Sequence, residues 1–270
     1  MIKKAIIPAA GYGTRSLPIT KVIPKEMFPI NNKPSIQYVV EEAIAAGIDQ
    51  ILIVVSRSKN MIVDYFDDSL ELEMFLQKAN KSALLDKVKR PNIQIFYTRQ
   101  AYAGGLGQAV RLGKEFVGND PFAVMLPDDL IVGRGIKELI DVYEEKNSHV
   151  LGLTEVETER LQNYGVIQGS KVEQGLYEIR HIVEKPKQDP PSNLAVTGRY
   201  VFTPELMAAL EKVVPDQTGE IQLTDGIQRL LAAGKCYGKV LTGQRFDIGS
   251  EKEYIDMQHM LFKQQRKDQH

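Results

Sequence analysis

Pro8-Ala9-Ala10-Gly11-Tyr12-Gly13-Thr14-Arg15-Ser16-Leu17-Pro18 follows an apolar run, Ala5-Ile6-Ile7, and leads on to Lys21 and to Pro24-Lys25-Glu26-Met27. The apolar run reads as a buried first strand. Small residues at the end of such a strand let a ligand touch the backbone. Gly11 and Gly13 allow positive φ and close approach where a side chain would stand in the way. Arg15, Lys21 and Lys25 then gather three cations in one loop. Bare backbone plus clustered cations is the chemistry a nucleoside triphosphate requires, Arg15 as a fork for phosphate oxygens and Lys25 as a mobile point charge. By themselves the same cations also suit a solvated loop, the usual place of Lys and Arg.

Two common glycine loops are excluded. A dinucleotide fingerprint needs a third Gly where Ser16 stands, and an acidic residue closing the second strand, yet Ile51-Leu52-Ile53-Val54-Val55 ends in Ser56-Arg57. A phosphate-binding P-loop closes on Gly-Lys-Ser/Thr, a triplet this chain lacks.

Outward from the loop, strand-like runs alternate with helical periodicity. Ile36, Val39, Val40, Ala43 and Ile44 repeat at helical spacing, and Gly47 ends that helix. A strand over 51–55 is followed by polar helical stretches over 61–88. Next come a strand over 93–98, a Gly-rich turn, a helix over 108–116 and a strand over 122–126. A helix over 136–145 and a strand over 150–155 complete the series. The alternation predicts an α/β fold, a doubly wound, mostly parallel, Rossmann-like sheet with helices on both faces. Residues 164–202 are strand-rich around a polar, proline-rich loop over 185–192. Thr203-Pro204-Glu205 reads as a helix start capped by Thr203, and Ser250-x-x-Glu253 as a capping box for the last helix. No internal repeat or low-complexity linker divides the chain, so a single domain over 1–270 is expected, with parts over about 1–155 and about 156–270.

A chain of 270 residues, 43% hydrophobic and 26% charged, can bury a sizeable core and keep a soluble surface. A net charge of -1 gives no general attraction for nucleic acid. The one cysteine, Cys236, excludes an intrachain disulfide, reads as an inert small hydrophobe, and fits a reducing, cytoplasmic compartment. No apolar run approaches a membrane span, and Ala5-Ile6-Ile7 after Lys3-Lys4 is too short for a signal peptide. The polar tail from Gln264 to His270 is expected to fray. His149, His181, His259 and His270 are scattered, in neither metal-ligand spacing nor a Ser-His-Asp arrangement, and read as structural or surface residues.

Asp128-Asp129 close the strand over 122–126, where an open α/β sheet binds its ligands. A carboxylate there can hold Mg²⁺ or serve as a turn or N-cap aspartate. Asp247, before Ile248-Gly249, is by pattern a turn aspartate. Gln100, ahead of Gly104-Gly105-x-Gly107, offers the donor and acceptor that a pyrimidine imide edge requires, or else belongs to a flexible loop before a helix. Glu184-Lys185 fall at a strand end before Pro186 and equally suit an exposed ion pair.

The segment from Gly11 to Met27 resembles the signature of the sugar-1-phosphate nucleotidyltransferases. Lys21-Val22-Ile23-Pro24-Lys25-Glu26-Met27 looks most like the bacterial UTP–glucose-1-phosphate uridylyltransferase (UDP-glucose pyrophosphorylase) branch. The likeness runs through Leu126-Pro127-Asp128-Asp129, Asn163-Tyr164-Gly165-Val166-Ile167, Val183-Glu184-Lys185-Pro186 and Gly219-Glu220-Ile221-Gln222-Leu223-Thr224-Asp225. It departs at Ser16, where a bulky apolar residue is usual, and at Ile248, where Cys is common. The resemblance implies that Ala9, Ala10, Gly11, Gly13, Thr14, Arg15, Lys25, Gln100, Gly105 and Asp128 bind the nucleotide. It implies Mg²⁺ on Asp128 and Asp247, and the sugar phosphate on Asp129, Gly165, Glu184 and Lys185, in the part over 156–270. It also implies that Arg15 and Lys25 carry the catalysis. Glu220 and Asp225 read as acids at a helix N-terminus and are left outside the site.

The reaction so implied joins UTP and glucose 1-phosphate into UDP-glucose and pyrophosphate by direct in-line attack on the α-phosphorus. No base is needed, since a sugar phosphate has its second pKa at about 6. The obstacle is repulsion, about 4 kcal/mol for two like charges about 4 Å apart at an effective dielectric of about 20. Mg²⁺ and the cations must cancel it. Nucleic acid and membrane are not expected partners, and a homo-oligomer is compatible with the reading. Thymidylyl transfer is the nearest rival, because both bases present the same imide edge. A glycosyltransferase consuming a nucleotide sugar would not need the Arg15–Lys25 loop to neutralise a leaving pyrophosphate, and a non-catalytic sensor would not need Lys25, Asp128 and Asp247.

Overall fold

Alternation along the first strand creates the two sides of the molecule. In β1 (Lys4–Ala9), Ala5, Ile7 and Ala9 enter one hydrophobic core while Ile6 enters the other, because successive side chains of a strand point to opposite faces. The computed structural model describes residues 1–268. His270 lies outside the described residues, as does the end of the tail expected to fray; the chain before it is helical through Asp268.

After β1 the signature loop makes three short 3-10 turns and a small hairpin, β2 (Pro29–Ile30) with β3 (Lys33–Pro34). Then come α1 (Ser35–Ala45), β4 (Gln50–Val55), α2 (Asn60–Phe66), α3 (Leu70–Lys78) and β5 (Gln94–Arg99). The helix expected over 108–116 is broken into α4 (Leu106–Arg111) and α5 (Lys114–Val117). Gly113 sits between them, where a Cβ would lie 2.4 Å from Ile6. The chain continues through β6 (Phe122–Met125), β7 (Asp129–Val132), α6 (Ile136–Lys146) and β8 (His149–Glu155). The strand-rich stretch forms β9 (Gly165–Glu173), β10 (Leu176–Glu184) and β11 (Leu194–Phe202). Last come α7 (Glu205–Glu211), α8 (Leu223–Leu231), β12 (Cys236–Val240), β13 (Gln244–Asp247) and α9 (Glu251–Asp268).

Nine strands form one sheet in the order β5-β4-β1-β6-β11-β8-β12-β10-β9. The sheet is mixed, although seven of its nine strands share one direction, as a mostly parallel sheet requires. β5, β4, β1 and β6 run parallel, and so do β8 and β12, but β11 is antiparallel to both β6 and β8, and β10 to both β12 and β9. The chain enters β11 from the hairpin of β9 and β10, not from a crossover helix, so no parallel connection is imposed on it. Helices cover both faces as expected, α1 and α6 on one side, α4, α7 and α8 on the other. The two parts of the chain also interleave, since β11 from the second lies between β6 and β8 from the first.

Two contacts bring distant segments to the carboxyl ends of β1 and β6. β13 pairs with β7, so that Asp247 faces Asp129. β11 slips in register against β8 between Val196 and Tyr200, and Gly198 in this slip admits Leu126 and Asp129, each less than 3 Å from where a Cβ would stand. Among the described residues no helix is long and apolar enough to cross a membrane.

Candidate active site

A cavity of about 310 Å³ opens where these strand ends meet. Arg15, Asp128 and Asp247 line it, and so do Gly165, Glu184 and Lys185. The first three belong to an ion cluster. Lys25 Nζ donates to Asp128 Oδ2, Arg15 Nη1 donates to Asp247 Oδ2 at 3.3 Å, and Arg15 Nη2 lies 3.8 Å from Asp128 Oδ2. Local chain geometry explains the convergence. Gly13 adopts φ 66, which turns the loop back, and its carbonyl accepts from the Ser16 N–H and the Thr20 hydroxyl. Gly249 leaves room for the guanidinium, since a Cβ there would lie 2.4 Å from Arg15 Nη2. The Ile248 N–H donates to the Asp128 carbonyl at 2.9 Å and holds the two aspartates side by side. Burial pushes the Asp128 carboxyl up, but the Lys25 ammonium, with Arg15 beyond it, outweighs burial and holds it below the usual carboxylate value. Lys25 likewise loses to burial and gains more from Asp128 and Glu26, so it stays above the usual lysine value.

The floor of the loop is tied down by two buried ion pairs that sequence patterns do not announce. Arg199 clamps Glu42 with three charge-assisted hydrogen bonds and donates to the Leu126 carbonyl at 3.0 Å, just ahead of Pro127-Asp128-Asp129. Lys59 donates to both carboxylate oxygens of Glu26 at 2.7 Å, directly behind Lys25. Burial lowers the Lys59 pKa despite that partner.

The other predicted nucleotide residues are placed as follows. Ala9 and Ala10 are buried at the end of β1, and Gly11 and Thr14 are exposed beyond them. Only Gly13 of the two glycines takes positive φ; Gly11 instead leaves open space, with nothing within 4 Å of where a Cβ would be. That is room for a ligand to reach the backbone. Gln100 differs from the expectation of a two-sided base reader. Its side-chain amide donates to Gly105 O at 3.1 Å and to Gln108 Oε1 at 2.7 Å, so its carbonyl oxygen alone is left for an incoming group. Gly105 takes φ 91 and, with Gly107, presses on Ile221, which has a packing reason of its own. Lys21 is exposed and stands away from the ion cluster, beside a second cavity.

On the sugar side, Asp129 also departs from expectation. It is buried with Arg245 Nε 2.6 Å from Oδ1, and Oδ2 accepts from the Gly198 N–H, so both oxygens are engaged inside the protein. Burial outweighs the pull of Arg245 and Arg199 and holds its carboxyl above the usual value. Gly165, Glu184 and Lys185 do converge: a Cβ on Gly165 would lie 3.5 Å from Glu184 Oε2, and Lys185 Nζ is 3.2 Å from Glu184 Oε1. Lys185 is itself at φ 45, with its N–H donating to the Tyr164 carbonyl at 3.0 Å.

Three pocket residues escaped sequence reasoning. Thr224, in the first turn of α8, donates its hydroxyl to Glu184 Oε2. Glu220 and Gln222 line the cavity, Glu220 not as a helix-start acid but in a loop folded around the Asp216 carboxylate. The available signal was the Gly219–Asp225 motif, whose hydroxyl and amide were overlooked beside its acids. Asp225 does fall in the first turn of α8, as expected. Two helix starts also differ. Thr203 bonds His149 Nδ1 rather than capping α7, and Glu253 reaches past Ser250 to the Asp247 N–H. His181 and His259 are exposed, and Cys236 is buried and unpaired, its thiol pushed up by burial.

The donor set can be tested against a metal. Asp128 and Asp247 both reach the Arg15 guanidinium, and among the described residues no third Asp, Glu, His or Cys joins them. Two hard carboxylates on an open cavity suit Mg²⁺, which keeps waters and takes substrate oxygens, and suit a metal needing a full protein cage poorly.

Known proteins resemble this chain over most or all of their length. The chain is 49% identical over 259 residues to a UTP–glucose-1-phosphate uridylyltransferase of Staphylococcus epidermidis, covering 94% of this chain and 90% of that one. A Bacillus subtilis protein given the same name only provisionally is 54% identical over the whole of both chains. The crystal structure of a UDP-glucose pyrophosphorylase complexed with UDP-glucose superposes with a TM-score of 0.87 at 41% identity, over 98% of this chain and all of that one. With residues 4–264 matching the nucleotidyl transferase family, the carboxyl-end cavity and its cation–carboxylate wall belong to a member of that family.

Proposed function

We propose that the chain transfers a uridylyl group from UTP to glucose 1-phosphate, giving UDP-glucose and pyrophosphate. The observation that carries this reading is a single cavity lined both by Arg15, Asp128 and Asp247, with Lys25 bonded to Asp128 behind them, and by Gly165, Glu184 and Lys185. The first group suits a polyphosphate and the second a sugar phosphate, and both line the same cavity. The names of the relatives support the same substrates.

Arg15 and Lys25 do the charge work. In the free protein they neutralise Asp128 and Asp247; with UTP bound they turn to phosphate oxygens, as forked and point-charge donors respectively. Lys185 meets the sugar phosphate, and Glu184, steadied by Thr224, meets sugar hydroxyls. Asp128 and Asp247 would hold Mg²⁺, which when bound supplies further neutralisation of the phosphates. The attacking phosphate oxygen is already anionic at neutral pH, so positioning and neutralisation account for the rate. We take the compartment to be the cytoplasm, in keeping with a lone buried thiol.

Pyrophosphate release from UTP, dTTP and other triphosphates, each paired with a series of sugar 1-phosphates, tests the reading; UTP with glucose 1-phosphate is expected to be the best pair, and silence with that pair refutes it. Attack is direct, so labelled pyrophosphate is expected to enter UTP only when UDP-glucose or glucose 1-phosphate is present. Exchange without sugar would require a nucleotidyl-enzyme and contradict direct displacement.

A further inference from the structure

We propose that Glu253 is a positioning residue that couples Asp247 to the sugar-side loop through Arg160 and Tyr164. The inference deepens the reaction proposed above and rests on it. Glu253 is the third residue of α9. A capping glutamate would bond the N–H of Ser250. Here Oε2 passes Ser250 and accepts the backbone N–H of Asp247 at 2.7 Å, while Oε1 pairs with Arg160 Nη2. Arg160 lies in the turn Thr158–Asn163 and reaches the Tyr164 hydroxyl at 3.4 Å.

From Glu253, then, two arms lead to two residues that line the cavity, Asp247 and Tyr164. One arm fixes the peptide of Asp247, whose own Oδ1 accepts the Gly249 N–H at 2.9 Å, so the backbone bond also sets the carboxylate. The other arm fixes Tyr164. Its hydroxyl also receives Arg245 at 3.3 Å, its ring lies 4.8 Å beneath the Arg245 guanidinium, and its carbonyl holds the Lys185 N–H. Gly165 follows directly. Both Glu253 bonds involve its charge, and its side chain is only 17% exposed, so solvent screens them incompletely. A carboxylate shared in this way makes the placement of Asp247 relative to Tyr164 depend on one side chain.

The test compares wild type, Glu253→Gln, Glu253→Ala, Arg160→Met and the Glu253→Ala/Arg160→Met double variant by steady-state kinetics and by calorimetric binding of UDP-glucose. Arg160→Met and Glu253→Gln are expected to raise the KM for glucose 1-phosphate and the Kd for UDP-glucose about fivefold to tenfold, with the KM for UTP moving less than about twofold. Glu253→Ala adds a fall in kcat, because the Asp247 N–H loses its acceptor, and Glu253→Gln spares it. The double variant raises the KM for glucose 1-phosphate no further than Glu253→Ala. Equal rises in both KM values, single effects that multiply in the double variant, or a lower melting temperature with unmoved KM values would each overturn the coupling. Should Glu253→Ala fail to fold, Glu253→Gln and Arg160→Met carry the test. Wild-type protein that releases no pyrophosphate from UTP and glucose 1-phosphate overturns the reaction itself, whereas the outcomes above in an active wild type overturn the coupling alone.

Discussion

Lys25 shows what a single side chain contributes here. Its type and its loop are legible in the sequence, because a cation beside bare glycine backbone suits phosphate whatever surrounds it. Its partner is not legible: Asp128 is 103 residues away. The pairing has a consequence for pH. Asp128 is held below the usual carboxylate value, so its contribution to stability is present above that value and lost only as pH falls through the lowered one. Lys25 is held above the usual lysine value, so its contribution is present below that value and lost only as pH rises through the raised one. Both groups therefore stay charged across neutral pH, and the acid limb of kcat/KM for glucose 1-phosphate is expected to fall with unit slope below pH about 6, where the substrate gains its proton. Lys25→Ala is expected to lower kcat by about 10²- to 10³-fold while leaving that limb in place. A limb that vanished with the lysine would assign the titration to the enzyme.

At the scale of elements, the loop before α4 illustrates a partial reading. Its glycines are plain in the sequence, but their reason is tertiary: Gly105 and Gly107 lie where a Cβ would come within 3 Å of the Ile221 carbonyl, and the Gly107 N–H donates to that carbonyl at 2.8 Å. Gly105→Ala also forces a side chain onto φ 91. It is expected to destabilise by about 1–3 kcal/mol and to shift Gln100, raising the KM for UTP more than that for glucose 1-phosphate. Chemical melts and paired substrate titrations check both halves. The strand and helix positions along the first part of the chain follow from hydrophobic period alone, within a few residues. The break at Gly113 and the β7–β13 pair do not, since the first depends on Ile6 underneath and the second on a strand more than a hundred residues later.

For the whole molecule, β11 decides the architecture. Its nine residues are all buried, and it joins β6 to β8, so neither part of the chain closes its core without the other. A single cooperative unfolding transition is therefore expected in calorimetry. UDP-glucose at a hundredfold excess over its Kd should move all of it upward, by about 5 °C. Two transitions, only one of them shifted, would mean that the parts fold separately. The sequence by itself determined the residue types and charges of the signature loop, the runs that become strands, and the residue types at the strand ends, because these depend on local sterics and on the period of burial. Only the tertiary structure decided that Arg15 meets Asp247 across 232 residues, that Asp129 turns inward to Arg245, and that β10 and β11 run against the other strands of the sheet. Partners and strand direction depend on which segments come to lie side by side, and neither hydrophobic period nor local propensity carries that information.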